Sequence, residues 1–136
     1  MALNGWICVF LVGLGALGQS GGGEAEDSSP FVKKSYAITG RVTLEQEGGH
    51  WVLILSDDFK TKSGPDLQLI FSPLPVADAD KKNATAKGTL TIGLLKDNKG
   101  GQRYVLPEGF DPNQYKSVLI HCVKYAVLWG GADLKK

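Results

Sequence analysis

The sequence predicts an all-β protein, a single domain built as an antiparallel β-sandwich or a flattened barrel. Three observations lead there. Apolar and polar residues alternate with period two in several short segments. Clusters of Gly, Pro, Asn and Asp separate those segments. No stretch sustains a helical period flanked by capping residues. Many short strands at this spacing fit a sandwich or barrel, and the pattern alone does not choose between them.

Residues 36–44 alternate, with Tyr36, Ile38, Val42 and Leu44 on one face and Thr39, Arg41 and Thr43 on the other. That is a half-buried strand. Gly48 and Gly49 make a turn before His50, since glycine accepts positive φ without strain. Residues 51–55 are continuously apolar, as in a central strand. Residues 66–72 alternate again, with Leu67, Leu69 and Phe71 inward, and residues 90–95 repeat the pattern. A short strand follows at 103–106, and strands at 117–125 and 126–129 close the chain. Residues 73–87 hold two prolines and then mainly Ala, Asp, Lys and Asn, which reads as a long surface loop with little to bury.

The N-terminus has a different character. It is apolar from Trp6 to Leu17 and carries no charged side chain before Glu24. That length suits a signal-peptide core rather than a bilayer span. Ala16 and Gly18 place small residues where a signal peptidase needs them, so cleavage is expected before Gln19 and Cys8 is lost. The n-region has no Lys or Arg, and the alternative is an uncleaved anchor. Residues 19–30 read as a flexible tether of Gly, Ser and acidic residues. The domain then runs over residues 31–136. A secreted or periplasmic location follows, with no membrane span after cleavage. The 15 basic and 14 acidic residues nearly cancel and are scattered, which argues against a nucleic-acid-binding stripe.

Cys122 is then the one cysteine of the mature chain. A lone thiol is buried and inert, paired with another molecule, or kept for redox or metal chemistry. Alternation puts Cys122 on one sheet face with Val118 and Ile120, as a small core hydrophobe would be. His121 points to the other face, so the two are poorly placed to share a metal unless a bulge intervenes. Asp57, Asp58 and Asp66 could supply oxygen ligands, but they match no calcium loop, and turn capping explains them as well. There is no Gly-x-Ser-x-Gly, no His-Glu-x-x-His and no phosphate loop, so a hydrolase is poorly supported. Asn83-Ala84-Thr85 fits a glycosylation sequon in the surface loop.

Several pieces, taken in order, resemble the DM-13 domain family. They are Gly40-Arg-Val-Thr-Leu44, Ser56-Asp-Asp-Phe59, Gly64-Pro-Asp-Leu67 and Gly93-Leu-Leu-Lys96. Gly101-Gln-Arg-Tyr104, Tyr115-Lys-Ser-Val118, His121-Cys122 and Gly130-Gly-Ala-Asp-Leu134 complete the series. The resemblance implies a small extracellular or periplasmic β-sandwich acting in electron transfer. It makes Cys122 the redox or ligand-binding residue. His121, Asp58 and Asp66 are secondary candidates, the two carboxylates opposing thiolate formation if they lie near the sulfur. His121 stands where the family usually has an aromatic residue, and the loop at 73–87 looks longer than usual. The resemblance leaves the cofactor open between haem, a metal and none. It implies that the redox partner is a separate exported redox protein or haem-binding protein. The competing reading is a non-catalytic binding module in which Cys122 is core, and Trp51 and Trp129 meet a glycan or protein partner.

Overall fold

The computed structural model describes residues 27–135. The expected signal segment, Cys8 and most of the tether lie outside them. Eleven strands follow in order: β1 Ser29–Pro30, β2 Val32–Lys33, β3 Ile38–Thr39, β4 Arg41–Glu47, β5 His50–Leu55, β6 Lys60–Thr61, β7 Leu67–Ser72, β8 Leu90–Leu94, β9 Gln102–Val105, β10 Ser117–Cys122 and β11 Val127–Asp133. Sheet order is β1-β4-β5-β9 in one layer and β2-β11-β10-β7-β8 in the other, with β3-β6 as a two-stranded clip. Every strand pairing is antiparallel. The two main sheets stay separate, so the fold is a sandwich rather than a barrel.

The inward faces follow from period two. Val42 and Leu44 of β4 and Leu53 and Leu55 of β5 meet Leu67, Leu69 and Phe71 of β7 and Val118 and Ile120 of β10. Residues 36–44, expected as one strand, are two. Gly40 breaks them with φ 102°, and a Cβ there would lie 2.7 Å from the Phe59 Cα. Only glycine takes that conformation in that space. Near the C-terminus, β10 stops at Cys122, and a turn over residues 123–126 with Ala126 at φ 54° leads into β11. The folded part also reaches back into the expected tether. Ser28 and Ser29 are buried, β1 pairs with β4, and the Arg41 Nε donates to Ser28 Oγ at 2.7 Å.

The largest departure from expectation is the segment at 73–87, which is a third layer rather than a surface loop. Val76, Ala79 and Ala84 are buried against Leu119 and Leu128 on the outer face of the five-stranded sheet. A 3-10 turn, Val76–Asp78, is tied down where the Val76 N–H donates to Asp133 Oδ1 at 2.8 Å. The Ser117 hydroxyl donates to the Leu74 carbonyl at 2.7 Å. Asp80 accepts from the N–H groups of Lys82 and Asn83, and Asn83 Oδ1 accepts from the Asp80 N–H. These bonds hold the Asp80 carboxyl below its ordinary range. With layers on both sides, all six residues of β10 are buried.

Candidate functional site

Cys122 ends β10, opposite Leu67 on β7 and Val127 on β11. It shares the inter-sheet core with Val118 and Ile120, as alternation requires. Its residue is 1% exposed. The thiol donates to the Pro65 carbonyl, with Sγ 3.1 Å from the oxygen. Residues 63–66 therefore form a strap over the sulfur.

Trp129 pins this strap. Its indole N–H donates to the Lys62 carbonyl at 3.0 Å, and a Cβ on Gly64 would come within 2.8 Å of the ring. Tyr36 packs on the same indole at 4.2 Å between ring centroids. Trp129 occupies the bulge in β11, where the register with β10 shifts between Ile120 and His121. The bulge thus sits on the partner strand, and β10 keeps its alternation. The expectation that Trp129 would meet a partner is overturned: it is 5% exposed and serves the interior. Beyond the strap lies an open cavity of about 440 Å³, lined by Gly64, Asp66 and Leu67 on one side and Lys96, Asp97 and Asn98 on the other.

His121 faces away from Cys122, opposite Gln68 and Leu128. It is 2% exposed, and its Nδ1 has no hydrogen-bond partner. Asp66 lies next to the strap with φ 56°. Its carbonyl accepts from the Val123 N–H at 3.1 Å, and its carboxylate accepts from the Gln68 amide at 2.9 Å. The Asp58 carboxylate accepts from the Ser56 hydroxyl at 2.6 Å in the β5–β6 turn. The four candidates do not converge. Among the described residues, no three His, Cys, Asp or Glu side chains are grouped to hold a metal. The donor set around Cys122 therefore does not fit a metal centre. The sequon is also structurally engaged, for the Asn83 amide donates to the Asp78 carbonyl at 3.0 Å and Ala84 is fully buried.

Burial pushes the His121 pKa below its ordinary value, because the charged ring would lose water without gaining a partner. The unfolded chain then binds the proton more readily than the folded one. Stability is full above the unfolded value of about 6.5 and declines as pH falls from there toward the folded value. Urea unfolding across that window is expected to show this decline, and His121→Leu is expected to remove it. A slope unchanged by the substitution would assign the decline to other groups.

A family model described as "Electron transfer DM13" matches residues 30–134. No curated protein matches the chain, and no solved structure does.

Proposed function

The chain belongs to the DM13 family, and on that premise we propose that it is an exported electron-transfer component with Cys122 as its redox or ligand-binding residue. The observation that carries this reading is the span of the family match, which includes Cys122 and the strap over it. The apolar N-terminal run supports export. Because the sulfur lies under residues 63–66, exchange with a partner requires the strap to lift. In this reading the thiol then loses one electron to a one-electron acceptor on a separate exported redox or haem protein, and its proton to solvent. His121 does not act as the base, since it faces the other side of the sheet.

A specific observation favours a second reading. A 1% exposed sulfur that donates to a backbone carbonyl is also what a structural thiol looks like. The domain would then be a binding module.

One variant separates the two. Serine keeps a donor for the Pro65 carbonyl, so Cys122→Ser is expected to cost about 1 kcal/mol or less. Loss of electron transfer in this variant would then report on the sulfur rather than on the fold. The native protein is expected to react with a small alkylating reagent at the rate of strap opening, well before global unfolding. Labelling only at the global unfolding rate, with electron exchange unchanged in Cys122→Ser, would leave the binding-module reading.

A further inference from the structure

A second cavity, of about 680 Å³, lies away from the thiol and strap. Trp51 and Gln46 of the β4–β5 hairpin line it, together with Glu45, Asn113, Asp27 and Lys135. We propose that this cavity binds a neutral carbohydrate, with the Trp51 indole stacking on one face of a pyranose ring.

The indole is firmly held. Trp51 is half-buried and packs edge-on against Phe110, with centroids 6.4 Å apart at 62°. Phe110 is itself stacked on Tyr115 at 5.4 Å and packed on Phe71 at 4.9 Å. The indole thus has a rigid backing while it lines an open cavity. A fixed aromatic surface binds at low entropic cost.

The polar lining narrows the ligand. The side-chain amides of Gln46 and Asn113 make no hydrogen bond among the described residues. Each amide both donates and accepts, which suits hydroxyl groups that do the same. Two carboxylates, Asp27 and Glu45, stand against a single ammonium, Lys135, which disfavours phosphates and uronates. The mixed polar lining disfavours an acyl chain. The cavity falls within the size range of small-ligand sites. Hydroxyl groups at the edge and an apolar C–H face are the two features this lining matches, and a neutral pyranose has both.

The test is an NMR titration of isotopically labelled full chain with maltohexaose, cellohexaose and chitohexaose, and with polygalacturonate as a charged comparison. At least one neutral hexasaccharide is expected to shift the Trp51 indole and the Gln46 and Asn113 amide signals saturably. Trp51→Ala is expected to weaken binding about tenfold or more, the scale of losing one aromatic anchor. If that variant does not fold, the double variant Gln46→Ala with Asn113→Ala, at two exposed positions, is expected to weaken binding instead. Cys122→Ser should leave the titration unchanged, so the sugar site and the thiol reading stand or fall separately. Absence of shifts with all three neutral sugars, shifts with polygalacturonate alone, or undiminished affinity in the folded variant would overturn the proposal.

Discussion

Trp129→Ala is expected to lower the unfolding free energy by about 3–5 kcal/mol. The indole is buried against Tyr36 and Gly64, and its N–H satisfies the Lys62 carbonyl. Three further N–H groups, of Lys34, Ser35 and Tyr36, converge on the Trp129 carbonyl, which fixes the residue where the bulge places it. The backbone beside it is closely packed, for Gly130 has Val32 O within 2.4 Å of a would-be Cβ. Removing the ring also frees the strap, so the variant is expected to label faster at Cys122 even under conditions where it is folded. Trp129→Phe should retain most of the packing and lose about 1 kcal/mol with the N–H. Urea unfolding and thiol labelling measure both effects. A loss below about 1 kcal/mol for alanine would show that the indole does not anchor this end of the sandwich.

Ala84→Asp is expected to be the other severe substitution, costing about 3 kcal/mol. Ala84 is fully buried between the segment at 73–87 and the outer sheet face, where a carboxylate would lose water among Val76, Ala79, Leu119 and Leu128. The segment can escape that cost by peeling away, which would expose Leu119 and Leu128 to water. Proteolysis near residues 77–82 should then accelerate. Ala86→Asp, two residues on and exposed, is the control and should change stability by less than about 0.5 kcal/mol. Equal effects from the two aspartates would mean that the third layer does not form.

Much of the sandwich was legible because alternation is a local signal. The inward set Leu67, Leu69 and Phe71 and the shared face of Val118, Ile120 and Cys122 required only period two. The opposite orientation of His121 followed from the same rule. The third layer was not legible, because Val76, Ala79 and Ala84 sit in irregular backbone, where burial has no period. Nor was the strap, because Trp129 and Gly64 are far apart in sequence and meet through a bulge that no spacing announces. The glycines around Trp129 were a usable hint: Gly130 and Gly131 both sit where a Cβ would strike backbone oxygen. The family resemblance pointed to Cys122 as a functional residue, whereas local chemistry accounts equally for a core thiol.

The pairing of β2 with β11 joins Val32 to Gly131 and Lys33 to Gly130. A chain emerging from the ribosome cannot complete the five-stranded sheet until Gly131 has been made. Its middle strand, β10, is also late, so β7 waits for a partner long after it is synthesised. Such high contact order slows folding to the millisecond-to-second range. If the chain is exported, as proposed, that delay would keep it threadable until its last strands had been made.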